Sequence, residues 1–174
     1  MRISEVCKEE FLAVWEIMKE SFPLDERRPF EEQKALLSKP CYRIFVLCEE
    51  DSVQGFIALW ELCALVFIEH FAVAKEHRCK GFGAKLLDFV TKRYSCDICL
   101  EVEVPDSKIT KRRVEFYKRN GFHLNTYPYT QPPLSKGQNP VSLMVMTYGK
   151  AVTNPGFEAI KDKLYREVYN NIDL

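Results

Sequence analysis

The stretch Val73-Ala74-Lys75-Glu76-His77-Arg78-Cys79-Lys80-Gly81-Phe82-Gly83-Ala84-Lys85 constrains this chain more than any other part of it. An apolar run ends, two glycines follow one residue apart, and a helical pattern begins. A strand that turns through glycines into a helix aims bare main-chain N–H groups at one point, because the first helical turn has no internal partners for them. The helix dipole adds roughly half a positive charge there. Gly81 and Gly83 let a diphosphate approach the main chain, and Arg78, Lys80 and Lys85 surround it with positive charge. The stretch predicts a phosphate-binding loop between a strand and a helix.

Two common glycine loops do not fit. The triphosphate loop G-x-x-x-x-G-K-[ST] is missing, since neither Gly-Lys-Ser nor Gly-Lys-Thr occurs. The dinucleotide fingerprint G-x-G-x-x-G fails at its third glycine, where Leu86 stands. What remains, Arg78-Cys79-Lys80-Gly81-Phe82-Gly83, reads R-x-x-G-x-G, and downstream Phe116-Tyr117-Lys118-Arg119-Asn120-Gly121-Phe122 reads Y-x-x-x-G-F. Together, in this order, the two signatures resemble those of the GNAT superfamily of N-acetyltransferases, over roughly residues 64 to 124. Many members also carry Asn seven residues before that Tyr and a small residue four before it; here these are Thr110 and Arg113.

The resemblance implies a mixed α/β (α+β) fold. Its central sheet would have about six to seven mostly antiparallel strands, splayed between the strand before the glycine loop and the next, flanked by helices. It implies acetyl-CoA as co-substrate, no metal, and a small-molecule or peptide amine as acceptor. CoA would be held by main-chain N–H groups of Phe71, Ala72 and Val73 and by the loop Arg78, Cys79, Lys80, Gly81, Phe82, Gly83 and Ala84. Tyr117 takes the position of the proton donor to the departing thiolate; the plain alternative is a helix aromatic packed on the sheet.

With 174 residues, 47% of them hydrophobic, the chain can bury one sizeable core, and no linker or repeat divides it. A single acetyltransferase domain over 1–174 is expected. Seven cysteines, an odd number without a secretory leader, suit a reducing, cytoplasmic setting better than a disulfide framework. Cys96-Asp97-Ile98-Cys99 spells C-x-x-C, but no second pair or His doublet accompanies it. The apolar runs 56–60 and 62–68 are too short to cross a bilayer and read as buried strands, so no membrane partner is expected. The net charge is zero, yet residues 75–94 and 108–120 carry +4 and +5, leaving −9 elsewhere. Two solvated helix faces would account for this, as would a cradle for a polyphosphate. Nucleic acid is not expected, because the basic residues flank one loop without an aromatic platform.

Hydrophobic spacing predicts a helix over 7–21, stopped by Pro23, and a short second helix from Pro29 to about Ser38. A hairpin over 42–48 and 53–62, turning at Glu50-Asp51-Ser52, and a third strand over 65–73 follow. Three strands therefore precede the glycine loop. After it come a helix over 83–94, a strand over 98–104, and a helix over 108–120 closed by Gly121. A final strand pair covers 122–129 and 141–148. Phe157, Ile160, Leu164, Val168 and Ile172 stripe a last helix, about 155–171, that packs on the sheet or on a second subunit of a homodimer.

Acetyl transfer to an amine needs a proton acceptor, since an alkylammonium has a pKa near ~10.4. Glu69 interrupts an apolar strand, two residues before Phe71 and so on the same side of a regular strand, with His70 opposite. A carboxylate there is costly without a partner or a task, and desolvation would raise its pKa as a base requires. A pairing with a nearby basic side chain, or a water chain with no side-chain base, remains open. The resemblance implies that the acceptor enters opposite the CoA, where the loops 22–29 and 127–140, both stiffened by proline, would meet. Arg27 and Arg28 would suit an anionic acceptor, Asp25 and Glu26 one with an extra amine. A non-catalytic acyl-CoA-binding or sensor module is the competing function.

Overall fold

A computed structural model describes residues 1–50 and 52–169. Its strands are β1 (Arg2–Glu5), β2 (Tyr42–Glu49), β3 (Ser52–Leu62), β4 (Leu65–Val73), β5 (Asp97–Glu103), β6 (Phe122–Gln131) and β7 (Val141–Tyr148). The helices are α1 (Phe11–Ser21), α2 (Phe30–Ala35), α3 (Phe82–Arg93), α4 (Lys108–Arg119) and α5 (Asn154–Leu164). One sheet runs β1-β2-β3-β4-β5-β7-β6, antiparallel throughout except for the parallel pair β4–β5. Four strands precede the glycine loop, one more than expected. β1 has four residues, too few to show a period, and exists by pairing with β2 at the sheet edge. Asp51 of the expected hairpin turn and Ile172 of the expected stripe lie outside the described residues.

The sheet separates two apolar layers. α1 lays Phe11, Val14, Trp15 and Met18 on one face and ends where Phe22 becomes extended ahead of Pro23. On the same face α5 buries Phe157 and Leu164, and the wide π-helical turn that follows it buries Val168 and Tyr169. Phe157 sits 4.9 Å from the ring of Tyr127 on β6, so the last helix covers this chain's own sheet. On the other face α3 contributes Phe82, Leu86, Leu87 and Val90, and α4 contributes Val114 and Tyr117. Gly121, at φ 87°, turns the chain from α4 into β6; a side chain there would strike the ring of Tyr148.

Two irregularities shape the sheet. In β4 the register with β3 passes from Leu59↔Ile68 to Ala58↔His70, so Glu69 is an extra, bulged residue. Between β6 and β7 the pairing jumps from Asn125↔Val145 to Tyr129↔Leu143, a bulge that accommodates Pro128. Buried Asn125 ties this bulge down: its Nδ2 donates to Val145 O and Thr147 Oγ1, and its Oδ1 accepts from Val152 N. β4 and β5 pair only from Leu65↔Asp97 to Ile68↔Leu100 and then separate. β4 continues with β3 alone to Val73, and β5 with β7 alone to Glu103. Among the described residues no helix is long and apolar enough to cross a membrane.

Since Phe157 fills a fully buried site between α5 and β6, Phe157→Ala is expected to lose about 3–5 kcal/mol in a urea titration. A change below about 1 kcal/mol would mean that α5 does not hold this position in solution.

Candidate active site

Where β4 and β5 diverge, a cleft of about 460 Å³ runs through the sheet. Past Ile68, the side of β4 turned from β3 has no strand partner, so its main-chain groups through Val73 line the cleft. The strand leads through a 3-10 turn into the loop before α3. Cys79 and Gly81 both lie in the left-handed region, at φ 65° and 82°, and Gly81 is the N-cap of α3. Space is open where a Cβ on Gly81 would stand. The loop thus forms a concavity of main-chain donors ahead of a helix N-terminus, the arrangement that fits a diphosphate.

Of the residues expected to hold CoA, Phe71, Ala72, Val73, Arg78, Cys79, Gly81, Phe82, Gly83 and Ala84 line this cleft. Lys80 does not, and its Nζ lies 3.2 Å from His77 Nδ1. Arg78 also braces the loop: Nε donates to Val73 O at 3.1 Å and an Nη to Ser21 Oγ at 3.4 Å. α4 supplies Arg112, Arg113 and Arg119 to the opposite wall, and Arg112 reaches Cys79 Sγ. The basic character of 108–120 signalled this wall, although no single residue of it stood out in the sequence.

Tyr117 lies on the α3/α4 face among Phe71, Phe116 and Phe122 and is 7% exposed toward the cleft. Burial pushes its hydroxyl up to about 12, against the opposing charge of Arg113, so it stays protonated at neutral pH.

Glu69 departs from expectation in direction and in charge. The bulge sends both Glu69 and His70 to the α1/α5 face, away from Phe71. Arg28 Nη1 donates to Glu69 Oε1 at 2.9 Å, both side chains being 3% exposed, while the guanidinium lies over the Trp60 ring. Burial alone would raise the carboxyl, but the charge of Arg28 and contact with His70 outweigh it and hold Glu69 at about 2. The expected upward shift is therefore reversed, and the alternative of a basic partner is the one realised. Arg28 is spent on this pair, Arg27 stacks over Trp15, and Asp25 accepts hydrogen bonds from Asn139. Only Glu26 of that group faces the cleft.

The loops expected around the acceptor do meet. Gln138 Nε2 donates to Leu24 O and Arg27 O, Gln131 Nε2 to Asp25 O, and Ser135 Oγ to Glu32. Beneath them, on β5, lies a residue the sequence did not single out. Glu101 lines the cleft on the α1/α5 face and accepts hydrogen bonds at Oε1 from the hydroxyls of Tyr129 and Tyr169. Its neighbours alternate as in any strand, and only the fold brings two phenols to it.

The match to known proteins follows the same layout. Residues 40–124, the span holding the cleft strands and both signatures, match the family model described as "Acetyltransferase (GNAT) domain". A GNAT-family protein of known structure from Bacteroides thetaiotaomicron, provisionally an acetyltransferase, superposes with a TM-score of 0.88 at 29% identity, covering 97% of this chain and 98% of that one. The chain belongs to the GNAT acetyltransferases. The Bacillus subtilis (strain 168) protein YjbC, whose name as an acetyltransferase is also provisional, is 27% identical over 161 residues, 91% of this chain and 80% of YjbC. An aminoglycoside 6'-N-acetyltransferase solved with coenzyme A shares the fold at TM-score 0.62 and 14% identity, over 88% of this chain and all of that one.

Against the GNAT pattern, Thr110 is occupied at the head of α4, where its hydroxyl and that of Ser107 form a reciprocal cap. Arg113 forms an ion pair with Glu103 on β5. Neither side chain duplicates the Asn and small residue found in other members.

Removing one half of the buried pair strands the other charge. Arg28→Met is expected to cost about 3–5 kcal/mol in a denaturant titration, and adding Glu69→Gln to recover a large part of that loss. Because Glu69 is lowered from 4.5 to about 2, the wild-type contribution is full above pH 4.5 and fades as pH falls toward 2. Additive single and double effects would contradict a direct pair.

Proposed function

We propose that this GNAT protein is an acetyl-CoA-dependent N-acetyltransferase that passes acetyl directly to a primary amine. The observation that carries the reading is the single cleft through the divided sheet. It joins the glycine-loop donors and Tyr117 on one face to a carboxylate-lined chamber under the clasped loops on the other. A donor thioester and an acceptor amine can then meet edge to edge without a covalent enzyme intermediate.

In this reading the diphosphate of acetyl-CoA rests on the main chain of 79–84 with Arg78, Arg112 and Arg119 around it, and the pantetheine pairs with the open edge of β4 at 71–73. Donors fixed along that edge also serve the carbonyl oxygen as it gains charge. Tyr117 gives its proton to the thiolate, a modest task because a thiol has a pKa near ~8.5. The Arg28–Glu69 pair stiffens the bulge that opens the edge.

Calorimetric titration with acetyl-CoA, beside adenosine diphosphate as control, tests the donor half; micromolar binding specific to acetyl-CoA is expected, and its absence would defeat the reading. A Cβ on Gly83 would stand 3.2 Å from the rings of Phe71 and Phe116, so Gly83→Val is expected to force those rings into the cleft and weaken acetyl-CoA binding at least tenfold. Tyr117→Phe is expected to keep that affinity and to lower kcat by about 10²-fold, the low end for a general acid. Undiminished turnover would remove Tyr117 from the chemistry, and binding without thiol release over a panel of amines would point to a sensor module.

A further inference from the structure

We propose that Glu101 is the carboxylate that receives the acceptor's ammonium group and takes its proton, and that the acceptor is an alkyl amine with no carboxylate beside the amino group. The proton-transfer half rests on the N-acetyltransferase reading; the ammonium site does not.

The position comes first. Ile68 and Leu100 are the last paired residues of the parallel strands, so Glu69 and Glu101 are the next residues on either side of the split. Both point to the α1/α5 face, across the sheet from Tyr117. An amine held there approaches the thioester from the side opposite the thiolate's proton donor.

Charge comes second. Glu69 has Arg28, and Glu103 has Arg113, but among the described residues Glu101 has only neutral partners, the phenols of Tyr129 and Tyr169, the latter at 2.6 Å. Both bond to Oε1. Close to it stands Glu69 Oε2, the oxygen that Arg28 does not take, buried on a side chain 3% exposed and 3.3 Å from His70 Nδ1. His70 Nε2 donates to Glu26 O at 2.8 Å, which ties the histidine beside Glu69 to the loop after α1. A primary ammonium carries three N–H donors and one positive charge, and the split in the sheet offers carboxylate oxygens on both flanking strands, those of Glu101 with no ion-pair partner among the described residues.

Selectivity follows from the same inventory. An amine with an adjacent carboxylate would bring that group against Glu26, Glu69 and Glu101; Arg113 is paired with Glu103, and Arg28, whose Nη1 is paired with Glu69 and whose Nη2 is buried without a partner, does not line the cleft. Free α-amino acids are excluded on this ground, and alkyl amines and diamines are admitted.

The groups facing Glu101 also set its titration. Burial raises it most, the hydroxyls of Tyr129 and Tyr169 lower it, and the charges of Glu69 and Glu26 raise it, to about 7. Tyr165 faces the same group from the final turn, and Arg28 and His70 stand beyond Glu69 and Glu26. A carboxylate near 7 is ionised often enough to hold an ammonium and basic enough to accept its proton. Of the three ammonium protons, one goes to Glu101 and on to solvent, one stays on the amide, and one restores the Tyr117 hydroxyl after its proton has passed to the CoA thiolate. The nitrogen–carbonyl bond forms as the carbon–sulfur bond breaks, and Tyr117 protonates the leaving sulfur. Tyr129 and Tyr169 are positioning residues that hold the carboxylate.

Two measurements decide the matter. In calorimetry of the protein alone at pH 8, 1,4-diaminobutane is expected to bind and glycine to stay silent, with Glu101→Gln weakening diaminobutane binding by about 30-fold or more. Equal binding by the two forms, or none by the wild type, overturns the site, whatever becomes of the acetyl-CoA titration. With acetyl-CoA present, kcat/KM for diaminobutane is expected to rise with pH through a midpoint near 7. Glu101→Gln should abolish that midpoint and cost about 10²- to 10⁴-fold, and Tyr169→Phe should move it upward by removing a donor to the charged form. A profile unchanged in both variants would rule out Glu101 as the proton acceptor.

Discussion

The structure depends on a set of hydrogen bonds that β4 and β5 do not make. Beyond Ile68 and Leu100 each strand keeps only its outer partner, and the main chain between them faces a cleft instead of a neighbour. Main-chain polar groups out of water are costly without partners, so the sheet is completed only by something that enters the split. The bulge at Glu69 marks the start of this divergence, and the buried Arg28 anchors it from the loop after α1. A charge pair at 3% exposure is a poor source of net stability compared with apolar packing. Its value here lies in registering the bulge against Trp60 and the loop, which keeps the edge of β4 open.

Once the sheet is split, its two faces take different work. The α3/α4 face has positive charge and left-handed turns around a helix N-terminus. The α1/α5 face has carboxylates, a histidine and phenols, with loops clasped above them by Gln131, Gln138 and Asn139. The uneven charge in a chain of zero net charge is this division seen in one dimension. Opposite potentials at the two ends of one cleft suit two substrates of opposite charge.

Local signals made the glycine-loop side of the cleft legible. Glycines beside basic residues after an apolar run, followed by Tyr117 ahead of Gly121, specify a loop and a helix within a few residues of each other, and the expected lining differs from the observed one only at Lys80. The strands from β2 to β5 were visible as apolar runs. β1 was not, because four residues at an edge carry no period. The α1/α5 side was legible only as a meeting of loops. Whether Glu69 shares a side with Phe71 depends on one extra residue in the register, which alternation in the sequence cannot reveal. Glu101 gains its surroundings from Tyr129, 28 residues away, and Tyr169, 68 away, contacts that exist only after the β6 bulge and the last turn have formed.

The two carboxylates flanking the split began with the same chemistry and were driven apart by what reaches them. A guanidinium holds Glu69 at about 2, while Glu101, given only hydroxyls and facing the negative charges of Glu69 and Glu26, is lifted to about 7. The first must stay charged for the bulge to hold; the second is the one able to change protonation near neutrality. The ion pair at Glu69 therefore has two consequences, fixing the backbone that opens the cleft and keeping a permanent negative charge beside Glu101. Tyr169 extends the arrangement to the end of the described chain, so the turn after α5, by its contact with β5, is part of the chamber it covers.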